Sequence, residues 1–244
     1  MSTTERVLRT VRATPSVRAM MMSAAICGGF GTVAEAQEQS VSLNLGYFAL
    51  KGEDTREFDV LLANRELFAF DVSQFNNAQV GAEWHLGLGD YLEAGIGAAF
   101  YQQTVLSVYT DFINDDRTEI PQDFKLRVTP VTATGRFFPF GLRSPVQPYA
   151  GAGVGFFNWR YSEVGEFIDF DTFDVFRDRF VATGNDVGAV YLAGVRVLSG
   201  DRFGVGVEVR YQDVQGVVGI DQGFLEERID LGGLTTSFTF DVRF

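Results

Sequence analysis

Cysteine is almost absent from this chain of 244 residues, since Cys27 is its one example. Cys27 lies in an N-terminal segment that we expect to be removed, which leaves no disulfide framework, cysteine metal site or thiol nucleophile. Histidine is equally scarce, because His85 stands alone. A Ser-His-acid hydrolase would need serine and carboxylate partners beside it, and no local pattern supplies them. We therefore expect no enzymatic activity, no metal and no other cofactor.

Positive charge and long apolar runs are also in short supply. The chain has 20 basic and 32 acidic residues, a net charge of −12. Nucleic-acid binding normally requires a basic face, so we expect no nucleic-acid partner. The apolar segment Ala19–Gly31 is too short to span a membrane as a helix, and later apolar blocks are interrupted by glycine and charge.

The N-terminal 36 residues have the three parts of a secretory signal peptide. A basic region containing Arg6 to Arg18 precedes the apolar segment Ala19–Gly31, and Ala34-Glu35-Ala36 has the small-x-small form of a cleavage site. The sequence thus predicts a signal peptide over 1–36 and one domain over 37–244. This segment holds four Arg, Glu5 and Glu35, a net +2, so residues 37–244 carry −14.

The C-terminal residues Leu234–Phe244 alternate between apolar and polar side chains, with Thr236 in the register of the apolar set. Period-2 alternation places the two sets on opposite faces of a strand. Eleven residues match the length that crosses an outer membrane, with apolar groups outside and polar groups inside. The end of this strand resembles the sorting signal of bacterial outer-membrane barrels, which implies recognition by the barrel-assembly machinery. The residues that carry this signal are Phe238, Phe240, Val242 and Phe244.

Seven earlier segments show similar alternation and are separated by turn residues. The eight expected strands are Val41–Leu50, Asn77–Leu86, Leu92–Val108, Phe124–Phe138, Val146–Tyr161, Asp186–Leu198, Phe203–Val214 and Leu234–Phe244. Short and long connections alternate, as in barrels with both termini in the periplasm. The sequence predicts an all-β fold, an eight-stranded antiparallel up-and-down transmembrane β-barrel with long external loops. Ten strands result if Phe58–Leu62 and Leu67–Val72 form another hairpin, and Pro130 predicts a bulge.

Charged residues recur on the faces that this register turns inward. An eight-stranded barrel has an interior that side chains fill, and opposite charges there should pair. We expect a lumen charge network, joined near one end by His85, that fills the barrel; a polar conduit is the alternative. Its members are Glu83, Glu93, Arg136, Arg160, Arg196, Glu208, Arg210 and Asp241.

The connection Ser162–Asn185 combines acidic residues with five phenylalanines at a spacing of three, three, three and four. This spacing predicts a short amphipathic helix that packs on the barrel rim or forms a patch for a ligand or partner. The five are Phe167, Phe170, Phe173, Phe176 and Phe180. The long connections carry a combined net charge of −14, so divalent cations are expected near these acidic loops, although the segment lacks the glycine and closing glutamate of an EF-hand.

The segment Pro148–Phe156 reads Pro-Tyr-Ala-Gly-Ala-Gly-Val-Gly-Phe. It resembles the Pro-Tyr-x-Gly-x-Gly-x-Gly-aromatic strand of small outer-membrane barrel proteins, including the outer-membrane protein W group. The resemblance implies the outer membrane of a Gram-negative bacterium, with membrane lipids and lipopolysaccharide as neighbours. We expect a structural or surface-interaction role. The alternative is passage or binding of small hydrophobic solutes, as the W group implies, and a lipid-modifying enzyme is a remote third.

Overall fold

The computed structural model describes residues 38–51, 59–114, 116–219 and 223–244, and the expected signal peptide over 1–36 lies outside these ranges. The described strands are β1 (Gln39–Leu50), β2 (Asn77–Leu88), β3 (Leu92–Ile113), β4 (Glu119–Phe137), β5 (Val146–Ile168), β6 (Val175–Ser199), β7 (Phe203–Asp213), β8 (Gln215–Val217), β9 (Arg228–Asp230) and β10 (Gly233–Arg243). Eight of them close into an antiparallel barrel in the order β1-β10-β7-β6-β5-β4-β3-β2. The fold class expected from the sequence is thus confirmed.

The first and last strands close the ring. β1 pairs with β10 from Ser40 opposite Arg243 to Leu50 opposite Gly233, and the Phe244 amide donates to the Gln39 carbonyl at 3.0 Å. This end of the barrel, with the short turns after β2, β4 and β6, is called the turn end below. The opposite end, where the longer connections lie, is called the loop end.

The strands differ twofold in length. β1, β2, β7 and β10 have 11 or 12 residues, close to the length that crosses a membrane, whereas β3 to β6 have 19 to 25. The additional residues extend the wall at the loop end. Much of the predicted connection Ser162–Asn185, and of the segment between the predicted third and fourth strands, is therefore strand.

The apolar face changes sides along these long strands. Near the turn end of β4, Val131 and Phe137 point outward and are exposed, whereas nearer the loop end Phe124 and Leu126 point inward and are fully buried. An apolar exterior fits lipid, and an apolar interior with a polar exterior fits water. The outer surface thus has a lipid-facing apolar belt near the turn end and a water-facing polar wall near the loop end.

Pro130 lies at this change of environment and not at a bulge, so the predicted bulge was wrong. The pairing of β4 with β5 keeps one register from Gln122 to Phe137, through Pro130. The irregularity lies instead in the pairing of β3 with β4, between Val108 and Ile113. The shift in the apolar pattern near Pro130 therefore reflects a change of solvent around an unbroken strand.

The connection after β1 contains helix α1 (Val60–Leu67) and a 3-10 turn at Val72–Phe75. This overturns the ten-strand alternative. Asp59 begins the helix, because its side chain accepts hydrogen bonds from the amides of Leu61 and Leu62. Leu61 and Phe75 are completely buried in the core at the loop end. No helix within the described ranges has the length and apolar character needed to cross a membrane.

Candidate functional site

The predicted charge network lies inside the half of the barrel nearer the turn end. Arg136 is its centre and is 4% exposed. Its guanidinium nitrogens lie 2.7 Å from Glu83, 3.0 Å from Glu208 and 3.4 Å from Glu93. Arg210 also contacts Glu83 and Glu208, at 2.7 and 2.8 Å. The carboxylates are thus shared between cations, which offsets the cost of burying charge.

Arg196 continues the network toward the turn end. It lies 2.9 Å from Glu93 and 3.7 Å from Asp241, and its Nε donates to Gln147 at 2.8 Å. The inward register predicts Arg196 as an oppositely charged neighbour of Glu208, and Asp241 as one of Arg210. The structure instead gives Glu208 contacts with Arg136, Arg210 and the Tyr149 hydroxyl.

Apolar layers lie on both sides of these charges. Toward the turn end, Phe138 packs against Tyr149, and the guanidinium groups of Arg136 and Arg196 lie over these two rings. Toward the loop end, a larger cluster fills the interior of β3 to β6. Its fully buried members include Phe124, Leu126, Phe157, Trp159 and Tyr161. Between the charges and this cluster, a cavity of about 30 Å³ remains, enough for about one water.

Arg160 was predicted to join the network, and this was wrong. β5 directs Phe157, Trp159 and Tyr161 into the barrel, so Arg160 points outward on the alternate face. The prediction failed because both faces of this segment carry large side chains, so the alternation does not show which face points into the barrel. Arg160 instead lines a surface pocket outside the wall.

His85 is completely buried beside the network. Its Nε2 lies 2.8 Å from Arg136, and its Nδ1 lies 3.4 Å from the Ser40 hydroxyl and 3.7 Å from Glu93. A catalytic triad has its serine and its carboxylate at different ring nitrogens. Here Ser40 and Glu93 both face Nδ1, whereas Nε2 accepts from the Arg136 guanidinium and lies 3.6 Å from Glu83, beyond hydrogen-bond distance.

The five phenylalanines lie on a β-hairpin, so the predicted helix over Ser162–Asn185 was wrong. Phe167 on β5 is opposite Phe176 on β6, and Phe180 is opposite Glu163. The chain turns between Asp169 and Asp174, where Phe170 and Phe173 are exposed. The helical spacing is therefore produced by two period-2 strands joined by a turn.

The inner face of this hairpin borders an apolar pocket at the loop end. The pocket has a volume of about 170 Å³, and Phe167, Phe170, Phe176 and Phe180 all line it, whereas Phe173 does not. The ring centroids of Phe167 and Phe180 are 4.6 Å apart. Four of the five phenylalanines thus belong to one surface, as side chains of a hairpin.

Two polar side chains also border this apolar pocket. The Asn64 amide donates to Glu163 at 2.6 Å and to the Tyr161 hydroxyl at 3.1 Å. Asn64 is buried, and its Oδ1 has no hydrogen-bond partner among the described residues. Burial raises the pKa of the Glu163 carboxyl to about 7. The pocket is therefore apolar with one polar corner that can accept a hydrogen bond.

The acidic turn in the hairpin is held by its own hydrogen bonds. The Asp169 carboxylate accepts from the amides of Asp171 and Thr172 at 2.8 and 3.3 Å. In the residues that the structure describes, no group of three or more histidine, cysteine, aspartate or glutamate side chains is arranged for a metal ion.

The residues of the expected sorting signal lie on the last strand with their apolar side chains outward. Phe238 and Phe244 are highly exposed, and Phe240 is exposed beside the stacked ring of Phe203. This face is part of the apolar belt, and the strand that carries it closes the ring by pairing with β1.

Comparisons with known proteins bear on the fold. No protein-family model and no curated protein matches the chain. The crystal structure of outer membrane protein OprG from Pseudomonas aeruginosa matches with a TM-score of 0.52 and 12% identity, over 86% of this chain and 96% of that one. The chain has the fold of a small outer-membrane β-barrel.

Two further structures of this outer-membrane barrel fold align at lower scores. The E. coli outer membrane protein W matches at a TM-score of 0.45 and 16% identity, over 87% of this chain and 100% of that one. Neisserial surface protein A matches at 0.45 and 12%, over 85% and 97%. At such identities the likeness concerns the fold and assigns no activity.

Sequence reasoning missed Asn64 and Glu163 as members of the pocket. Both belonged to segments interpreted as loops, where polar residues are ordinary. The detectable signal was the alternation of Phe157, Trp159 and Tyr161, which continues to Glu163 on the same face of β5. Extending the strand by that pattern places Glu163 inside the barrel.

Proposed function

We propose that this protein resides in the outer membrane of a Gram-negative bacterium, with periplasmic termini, and acts at the cell surface without conducting solutes or catalysing a reaction. The layered interior supports this proposal most directly. Arg136 and its carboxylate partners occupy the lumen between two apolar layers. An ion crossing this path would have to displace paired charges and then enter a packed aromatic cluster. The turn end and the loop end are therefore the surfaces available to partners.

The wall supports the proposed location. The apolar belt suits a bilayer, and lipopolysaccharide and other outer-membrane lipids would surround it. The exposed aromatic face of the last strand is what the barrel-assembly machinery would engage during insertion. We propose both as partners, together with divalent cations attracted by the acidic loop end.

Conductance in planar bilayers tests the proposal. Residues 37–244 would be refolded into liposomes, and insertion would be verified by heat-modifiable gel migration before fusion to the bilayer. We expect no discrete current steps, while a general-diffusion porin prepared in parallel gives them. Reproducible steps from protein that migrates as folded barrel would refute the closed lumen.

A second candidate function is the binding of a small hydrophobic molecule at the loop end. The observation in its favour is the apolar pocket with its polar corner at Asn64 and Glu163. A volume of about 170 Å³ suits a small ligand with an apolar body and one hydrogen-bond donor, such as an alkylphenol. In this form the protein binds the molecule without passing it through the barrel.

Two phenylalanine variants separate this candidate from nonspecific partitioning into lipid. Phe176→Ala removes a wall of the pocket, whereas Phe173→Ala removes a ring that is 68% exposed and outside it. We would titrate alkylphenols into lipid nanodiscs and follow amide chemical shifts. Saturable shifts around Glu163, lost in Phe176→Ala and retained in Phe173→Ala, are expected. Equal responses from both variants would rule out the pocket.

A further inference from the structure

Four cationic side chains lie together on the outside of the barrel wall, near the loop end. Lys125, Arg127, Arg160 and Arg179 line one surface pocket of about 190 Å³, with Gln102 and Ser162. We call these four residues the basic wall. It is a local exception on a chain whose net charge is −12.

Strand pairing accounts for the proximity of these cations. Arg127 on β4 is directly opposite Arg160 on β5, and Lys125 is opposite Ser162. Side chains opposite each other in antiparallel strands have Cβ atoms roughly 5 Å apart, and like charges in this position are destabilising. An anion bound between the Arg127 and Arg160 guanidinium groups would relieve this repulsion.

The chain itself supplies no such anion in its described part. None of the four cations has a carboxylate within 4 Å among the described residues, although ion pairs form at both ends of the barrel and in its lumen. Asp123 precedes Lys125 by two residues on the same face of β4, and still no ion pair joins these two side chains. The Arg127 Nε is buried and lacks a hydrogen-bond partner there.

The height of the basic wall relative to the apolar belt indicates where the anion comes from. On β4 and β5 the belt ends at the exposed residues Val131 and Phe156, which are opposite each other. Arg127 and Arg160 lie four residues further along, roughly 13 Å of strand. With a strand tilt of about 40°, this is roughly 10 Å above the belt, just beyond a headgroup layer of roughly 5–8 Å, so long side chains that bend toward the membrane reach the headgroups.

We propose that the basic wall binds the phosphate groups of a phosphorylated glycolipid in the outer leaflet. Guanidinium groups bind phosphate through paired hydrogen bonds, and the lysine adds a point charge. Lysine and arginine have long apolar stems that can lie along a wall while the charged ends reach the headgroup. This site is separate from the apolar pocket, which lies inside the wall.

Nanodiscs of phosphatidylcholine containing bisphosphorylated lipid A provide the test. Native mass spectrometry would measure lipid A retained by the wild-type protein, by Arg127→Gln/Arg160→Gln, and by the control Arg143→Gln/Arg202→Gln. The control removes two arginines at the turn end, so both variants lose the same charge. We expect the Arg127/Arg160 variant to bind at least roughly tenfold more weakly, and the control to bind like wild type.

Two further arms identify the ligand. Dephosphorylated lipid A should not be retained, and soluble inorganic triphosphate should compete weakly because it lacks the bilayer anchor. Equal retention of lipid A by the two variants would refute the site. Retention of dephosphorylated lipid A would refute phosphate recognition. Triphosphate binding as strong as that of lipid A would refute a lipid as the source of the phosphate. If the first variant fails to fold, Lys125→Gln/Arg179→Gln replaces it. This inference rests on the proposed outer-membrane location, but a conducting lumen would leave all these outcomes unchanged, so the binding site and the closed lumen are tested separately.

Discussion

Arg136→Gln and Arg160→Gln should have very different effects on the stability of the barrel. Both arginines appeared equally lumen-facing in the sequence, but the structure places Arg136 inside and Arg160 outside. Arg136 contacts Glu83, Glu93 and Glu208. Removing one member of a buried ionic network typically costs about 3–5 kcal/mol.

The arrangement of the remaining cations refines this magnitude. After loss of Arg136, Glu83 and Glu208 both retain Arg210, and Glu93 retains Arg196. No carboxylate loses its last cation, so we expect the lower end of the range, about 3 kcal/mol. Arg160 has no carboxylate within 4 Å in the described chain, and its replacement should cost less than about 1 kcal/mol.

Reversible urea unfolding in lipid vesicles would measure both free energies. Folded and unfolded fractions can be followed by heat-modifiable gel migration and by tryptophan fluorescence, and the two probes should give the same transition. The slope of the unfolding free energy against urea should stay constant, so that midpoint shifts report stability. Equal destabilisation by the two substitutions would refute the inward and outward assignments, and with them the account of the lumen.

Three further predictions concern other parts of the chain. Deletion of Phe244 should lower the amount of heat-modifiable barrel in the outer membrane without reducing export across the inner membrane, and unchanged barrel levels would contradict the sorting role. Because burial raises the Glu163 pKa to about 7, the folded state binds an extra proton between about pH 4.5 and 7, so stability should fall by up to about 3 kcal/mol as pH rises through that window; in Glu163→Gln this decline should disappear from urea titrations. Gly95→Ala should destabilise the barrel by about 1–3 kcal/mol, because the added Cβ would lie 2.5 Å from a Glu83 oxygen. Gly135→Ala is the control, since the nearest atom to a Cβ there is 4.0 Å away. Similar urea midpoints for the two variants would argue against this packing.

The sequence was most informative where the barrel contacts lipid. Along the last strand, Phe238 and Phe240 alternate with polar groups, and the structure directs these rings outward. Lipid on one side and a polar lumen on the other give each residue one of two environments. Alternation then identifies both the strand and its faces, which is why the number of barrel strands could be predicted.

The same rule failed above the apolar belt, where water replaces lipid. On β5, the apolar set passes from the outward residues Val154 and Phe156 to the inward residues Phe157 and Trp159. At the crossover, neighbouring positions are apolar together, and the alternation looks broken. The exposed polar side chains that follow resemble a loop. The lengths of β3 to β6 therefore could not be predicted, and neither could the side of the wall on which Arg160 lies.

One hairpin connects the two proposed binding surfaces. On β6, Phe176 and Phe180 point inward and line the apolar pocket, while Arg179 points outward in the basic wall. Arg179 lies between Phe176 and Phe180 on the same strand. An anion held by Arg179 and Arg160 would therefore restrain the backbone segment that positions these phenylalanine rings. The pocket would then be better ordered in a membrane that contains phosphorylated glycolipid than in phosphatidylcholine alone, so ligand binding at Glu163 should be compared in both.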